Sequence, residues 1–413
     1  MTGLTEKGNP PREQRARTFV GWHRLLLALI CPMLFGLACT PPHAVPAATT
    51  SFVRGLVNPR GIAFAPDGTL YVAEAGSGGS HTPDLGPRGQ RYRIGNTARV
   101  TRFDPVGRRQ ILLDRLPSMS NGEDELGAAD VAFLSGMLYV LTAAGGYETG
   151  DPAWDNVILR VDPSASTVQA APVFNLTELN LTVPPLSRRT DPIKTDVHGG
   201  MPFGLVAANG ALYATDSNLE AVTRITADGA ARRILEYPSG NHVLTGVSAG
   251  PDGALYVAEF GAAPHREGSG RITRLSLDGE ATLYIDGLAN VIDVAFDDLG
   301  RAYVLEISRP GVRVENSGRI LRIEPAGGRE VIIDGLAFPT SIAFGPDGQL
   351  YVATGGHRSG DGQGAILRLP VASQRTRFSS PSIVLPIALV LFALTSGAIW
   401  WLRTRSSRGR AGG

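Results

Sequence analysis

Pro59-Arg60-Gly61-Ile62-Ala63-Phe64, then Pro66-Asp67-Gly68, then Leu70-Tyr71-Val72-Ala73-Glu74 spell out a strand, a tight turn and a second strand. The β-branched and aromatic residues suit a pleated sheet, and Asp-Gly tolerates the positive φ that a short hairpin needs. The phrase returns around Asp130–Val140, Pro202–Asp216, Thr245–Glu259, Asp293–Glu306 and Thr340–Thr354. Tyr71, Tyr139, Tyr213, Tyr256, Tyr303 and Tyr351 mark the same place in each copy. A third strand follows every time and carries a repeated arginine: Arg102, Arg160, Arg224, Arg274, Arg322 and Arg368. A second turn then leads to an outer strand such as Gln110–Asp114, Thr282–Asp286 or Val331–Asp334.

The later copies lie 43 to 48 residues apart, the length of a four-stranded blade, so the repeat predicts an all-β, six-bladed propeller over residues 50–372. The ends predict how it closes. The sixth copy has a third strand at Ala365–Leu369 and no fourth. Ser51-Phe52-Val53-Arg54-Gly55-Leu56 matches the outer strands Tyr284–Leu288 and Ile332–Leu336 but has no blade before it. Pairing that N-terminal strand onto the last blade completes the ring and removes its exposed edges.

Outside the repeat the chain carries two addresses. A basic stretch, Arg12 to Arg24, precedes the apolar run Leu25–Ala38, and Val45-Pro46-Ala47 offers small residues for cleavage. Residues 1–47 therefore read as a secretory signal peptide. Acylation of Cys39 after Gly36-Leu37-Ala38 is the lipoprotein alternative. A short polar linker, 373–382, leads to Ile383–Leu402, an uncharged apolar run of about 20 residues, long enough to span a bilayer. Trp400 and Trp401 at its edge and Arg403, Arg405, Arg408 and Arg410 beyond it place the tail 403–413 in the cytoplasm. The expected location is the cell membrane, crossed once by a C-terminal transmembrane helix with the propeller outside.

Both cysteines, Cys31 and Cys39, lie in the leader, so a processed body would have no disulfide, zinc-thiolate site or cysteine nucleophile. A formal net charge of +1, with no basic run in the body, gives no reason to expect a nucleic-acid partner. The chain shows no nucleophile elbow, phosphate loop, His-Glu-x-x-His helix or calcium-loop motif.

The body resembles the ScyD/ScyE-type propellers, a family with NHL-like repeats named for its association with the pigment scytonemin. The likeness rests on Gly55–Phe64, Tyr71–Gly76, Leu116-Pro117-Ser118 leading into Asp130–Phe133, and Pro202–Leu205 with Asp216-Ser217-Asn218. It implies the six-bladed fold and supplies no catalytic residues. A C-terminal anchor is not a feature associated with that family.

Two kinds of site are conceivable. The second strand ends on an acid in four copies, Glu74, Asp216, Glu259 and Glu306, and with His198 these could bind a ligand or an extracellular protein on the loop-rich face. Intra-blade pairing of the acids with the six repeated arginines is the structural alternative. The rival function is a calcium-dependent lactonase or esterase of the gluconolactonase and paraoxonase type, which needs oxygen donors at the central channel. Asn58, Asp130, Asn290 and Asp293, at the starts of inner strands, are the candidate metal ligands. A quinone-dependent sugar dehydrogenase shares the Pro-Asp-Gly phrase but would need a recognisable cofactor pocket. Loop histidines His81, His242, His265 and His357 complete the candidates.

Overall fold

A computed structural model describes residues 49–82, 91–143, 152–183, 200–238, 242–261, 264–309, 311, 314–324, 327–357 and 362–371. Blade 1 comprises β2 (Pro59–Phe64), β3 (Leu70–Glu74), β4 (Arg93–Phe103), β5 (Arg109–Ser120) and a short β6 (Glu125–Leu126). Blade 2 comprises β7 (Ala128–Leu134), β8 (Met137–Thr142), β9 (Val157–Val161) and β10 (Ala170–Asn175). Blade 3 runs β11 (Pro202–Ala208), β12 (Ala211–Asp216), β13 (Ala221–Thr226) and β14 (Ala231–Glu236). Blade 4 runs β15 (Leu244–Ala249), β16 (Leu255–Glu259), β17 (Gly270–Leu275) and β18 (Ala281–Leu288). Blade 5 runs β19 (Val291–Phe296), β20 (Ala302–Glu306), β21 (Gly318–Ile323) and β22 (Arg329–Leu336). Blade 6 takes β23 (Ser341–Phe344), β24 (Leu350–Thr354) and β25 (Gly364–Leu369), and β1 (Thr50–Leu56) pairs antiparallel with β25 as its outer strand.

The inner strands pack side by side in a closed circuit, β2 on β7, then β11, β15, β19 and β23, and back to β2. The repeated phrase explains this contact. In four blades the tyrosine meets, edge to face, the phenylalanine at or next to the end of the inner strand of the next. Tyr71 meets Phe133 at 5.0 Å between centroids, Tyr256 meets Phe296 at 4.6 Å, and Tyr303 meets Phe344 at 5.1 Å. The pair Tyr351–Phe64, at 4.8 Å, closes the ring from blade 6 to blade 1. Each such pair contributes about 0.5–1.5 kcal/mol beyond its buried area. Where blades 3 and 4 have Ala207 and Ala249 at that position, Tyr139 and Tyr213 have no aromatic partner of this kind to meet.

The hairpins are built as the sequence implies. Gly68 takes a φ of +86°, Asp67 Oδ1 accepts the Thr69 N–H at 2.9 Å, and the Ala65 N–H donates to the Thr69 carbonyl. One expectation changes. The outer strand of blade 1 was expected over Gln110–Asp114 alone. Instead β4 and β5 extend well past the blade, and Tyr92, Ile94, Met119 and Leu126 form a small core of their own. The added hairpin has its own hydrophobic contacts, which propeller spacing does not encode.

Residues 1–47, the linker 373–382, the apolar segment 383–402 and the tail 403–413 lie outside the described residues. Among the described residues no helix is long and apolar enough to cross a membrane. The one α-helix described in the excursion after blade 2, α1 (Leu176–Thr182), is capped by Asn175, whose Oδ1 accepts the Glu178 N–H at 2.9 Å.

Candidate functional site: the mouth of the central channel

Counting two residues back from the partner of each repeat tyrosine defines one ring position: Gly61, Asp130, Gly204, Gly246, Asp293 and Ser341. In all blades but the sixth the ladder to the second strand is interrupted here by a bulge or irregularity, a device that re-aims side chains. Two of the six positions are aspartates, on blades 2 and 5, which lie opposite each other.

Their surroundings repeat with the same three-blade period. Asp130 Oδ1 accepts its neighbour's Val131 N–H at 2.8 Å, and Oδ2 accepts the Leu205 N–H of blade 3 at 2.7 Å. On the other side a Cβ at Gly61 of blade 1 would lie 1.8 Å from Asp130 Oδ1. Asp293 Oδ1 accepts Val294 N–H at 2.8 Å, while Oδ2 accepts Ile342 N–H and the Ser341 hydroxyl of blade 6, both at 2.9 Å. A Cβ at Gly246 of blade 4 would lie 2.3 Å from Asp293 Oδ1. Each aspartate thus spans three blades, nested in a glycine gap behind and held by backbone N–H ahead. Burial pushes both carboxyls up. Asp130 is raised well above its usual range, partly offset by the Leu205 hydrogen bond and reinforced by the charge of Asp293. Asp293 is raised to about 6, its hydrogen bonds opposing the burial.

Above them opens a cavity of about 530 Å³ to which every blade contributes. Ala75, Ala143, Ser217, Phe260 and Ile307, each immediately following a second strand, line it, which fixes the cavity to the face where those strands end. Phe203, Phe260, Ile292 and Ile307 form an apolar side across blades 3 to 5. A charged cluster occupies the opposite side. The Arg60 guanidinium donates to the Glu125 carbonyl, and the Glu125 carboxylate lies 3.3 Å from His357 Nδ1. Glu125 and His357 are both 4% exposed. The sequence named His357 only as one of several loop histidines, and Glu125 went unnoticed because it sits on the extra strand β6, outside the repeat.

The acids expected to form a ligand-binding ring stand one residue away from this lining. Glu74 is fully buried and accepts hydrogen bonds from Val57 N–H at 2.7 Å, Arg99 at 3.0 Å, Arg109 at 3.2 Å and the Thr101 hydroxyl. Glu306 is bound in the same way by Ala289 N–H at 2.8 Å and by Arg319. Each ties the connection entering its blade to the third strand. Glu259 is held by His242 at 2.6 Å, Tyr237 at 3.1 Å and Thr273. Burial pushes its carboxyl up, but these hydrogen bonds win and leave it below its ordinary value. Asp216 accepts the backbone N–H groups of Met201, Asn218 and Leu219 at 2.8–3.1 Å and shapes the turn after β12; burial raises it. His198 lies outside the described residues.

The expected pairing of these acids with the repeated arginines is corrected. Antiparallel register puts Tyr71 opposite Arg102 and Glu74 opposite Arg99, so the partners are Arg99, Arg271 and Arg319, three residues earlier. Arg102 instead bonds Gln110 and the Pro163 carbonyl, Arg274 pairs with Asp252, and Arg322 pairs with Glu324 and Glu330.

The four residues considered for calcium do not converge. Asn58 and Asn290 adopt left-handed φ of 48° and 35°, and their Nδ2 groups donate to loop carbonyls, Gly76 at 2.9 Å and Gly311 at 2.6 Å. Neither lines the cavity that Asp130 and Asp293 share. Among the described residues no three His, Cys, Asp or Glu side chains are placed to hold one metal ion. The residues present therefore do not fit a calcium centre of that composition.

The fold and this channel define the chain as a six-bladed β-propeller with four-stranded blades, the first extended by the short strand β6. No protein-family model matches it, and no curated protein sequence matches it. Solved structures do. A glucose dehydrogenase-type oxidoreductase from Thermus thermophilus aligns at 18% identity and a TM-score of 0.50, over 78% of this chain and 99% of that one. A protein of unknown function from Bacteroides thetaiotaomicron aligns at 10% identity and 0.50, over 78% and 71%. A protein assigned as a gluconolactonase aligns at 10% and 0.46, over 78% and 91%. At these identities the likeness is one of fold, and propellers host unrelated functions.

Proposed function

We propose that this chain is a ligand-binding propeller, displayed on the outer side of a cell membrane by its C-terminal apolar segment, that receives a small molecule in the mouth of its central channel. One observation carries the reading: a cavity of about 530 Å³, lined by all six blades and combining an apolar side with fixed polar groups. Cavities of this size and make-up are where proteins take small ligands. The tether rests on Ile383–Leu402 with its Trp400, Trp401 and arginine flank, and export rests on the leader.

The test is thermal unfolding of the full chain against a chemically diverse library. A ligand that binds the folded state raises the melting temperature by mass action. Met201→Trp places an indole in the cavity, and ligands that stabilise the native chain should no longer stabilise this variant. Ligands that stabilise both equally would sink the cavity as the site. Protease accessibility on intact cells checks the display: a body protected until the cells are lysed would sink it.

A further inference from the structure

The chemistry of the cavity narrows what it accepts. Asp130 and Asp293 face one space from opposite blades, and their orientation is set beforehand by backbone N–H groups and by the glycine gaps beside them. A carboxylate offers about four acceptor sites; Asp130 accepts two hydrogen bonds here and Asp293 three. Among the described residues, the groups acting on these two acids are backbone N–H donors, the Ser341 hydroxyl on Asp293 and, on Asp130, the charge of Asp293, with no cation among them. The other ionisable side chains of the cavity are Arg60, Asp124, Glu125 and His357 on one side and His265 on another. Of these, Arg60 and His357 already engage Glu125, and His265 Nδ1 lies 2.9 Å from the Gly261 carbonyl.

Two acids with no counter-charge among the described residues, in one cavity with the aromatic rings of Phe203 and Phe260, select for one kind of guest. An anion would meet both carboxylates. A metal ion would find no third donor of the His, Cys, Asp or Glu type placed with them among the described residues. A positively charged nitrogen on an apolar body satisfies both features, since it donates to carboxylates and gains attraction from ring faces. We propose that the cavity takes an organic amine, its ammonium group drawn to Asp130 and Asp293 and its apolar part lying against Phe203 and Phe260. This rests on the cavity being the binding site and adds the class of ligand.

Titration calorimetry on the full chain tests it with matched probes: 2-phenylethylamine against 2-phenylethanol, 1,6-diaminohexane against 1,6-hexanediol, and phenylacetate. At pH 8 each amine should bind about tenfold or more tightly than its alcohol, the equivalent of about 1.4 kcal/mol. Amine affinity should fall about tenfold between pH 8 and pH 5 as Asp293, at about 6, becomes protonated. Asp130→Asn and Asp293→Asn should lose the preference for amines. Should either variant fold poorly, the native chain supplies a second readout. Near pH 6 amine binding should release protons, seen as a dependence of the heat on buffer ionisation, whereas alcohol binding should not. Alcohols or phenylacetate binding as tightly as the amines, with Met201→Trp abolishing it, would overturn the amine and leave the cavity standing. No binding by any probe, with library ligands indifferent to Met201→Trp, would overturn both. Calcium raising the melting temperature while excluding the amines would also overturn it.

Discussion

Gly61→Ala probes the arrangement on which the channel depends. A methyl group at this position would sit 1.8 Å from Asp130 Oδ1, 2.5 Å from its Cγ and 2.6 Å from its Cα. A rotamer change cannot relieve contact with a backbone carbon, so β7 itself must shift away from β2. Overpacking of a filled site costs about 1–3 kcal/mol. Drawing the half-buried carboxylate off the Leu205 N–H adds about 1–3 kcal/mol for polar groups left unmatched. The total of about 2–6 kcal/mol corresponds to a fall in melting temperature of roughly 3–9 °C for a body of this size. The assay is thermal unfolding of the full chain followed by circular dichroism, with Gly246→Ala as the equivalent change in the second half-ring. There the methyl would lie 2.3 Å from Asp293 Oδ1. Gly328→Ala is the control, since its methyl would meet nothing nearer than 3.6 Å. If Gly61→Ala and Gly246→Ala melt together with Gly328→Ala, the three-blade clamp is wrong.

Other expectations concern pH, the rim and the closure. Asp293 has a folded pKa of about 6, above its usual 3.8, so it favours the folded state when protonated. That stability is complete below about pH 4 and lost as pH rises through about 6, and Asp293→Asn should flatten this slope in denaturant unfolding. Glu259 runs the opposite way: held below its usual 4.5, it stabilises above that pH and loses its contribution as pH falls through its folded pKa. Glu259→Gln should remove that acid-side loss. Glu74→Gln leaves Arg99 and Arg109 without a buried carboxylate and should cost about 3–5 kcal/mol, whereas Arg102→Ala, at the far end of the same strand pair, should cost less than about 1 kcal/mol. Equal effects would undo the corrected pairing. Phe64→Leu removes the aromatic contact with Tyr351 and should lower stability by about 1 kcal/mol in urea unfolding; an unchanged midpoint would mean that the contact does not help close the ring.

The sequence by itself determined the blades and their number. A strand repeats its chemistry wherever its neighbours repeat, so the tyrosine, the Ala-Phe ending and the Pro-Asp-Gly turn could be found without coordinates. The unpaired strand Ser51–Leu56 even announced the closure. The partnerships needed the third dimension. Antiparallel register reverses direction, so an arginine three residues upstream of the repeated one, and less regular in sequence, became the partner of Glu74. Asp130 and Asp293 were noticed in sequence as inner-strand residues but grouped with Asn58 and Asn290, because proximity along strands does not reveal which side chains face the axis. Bulges at the ring position turn the two aspartates toward the channel, while left-handed backbone turns the two asparagines into their loops. Glu125 had no repeat to mark it, and only the folding of the added hairpin beside the channel brought it to His357. Local periodicity is written in each blade, whereas the chemistry of the channel mouth arises where six blades, far apart along the chain, meet around one axis.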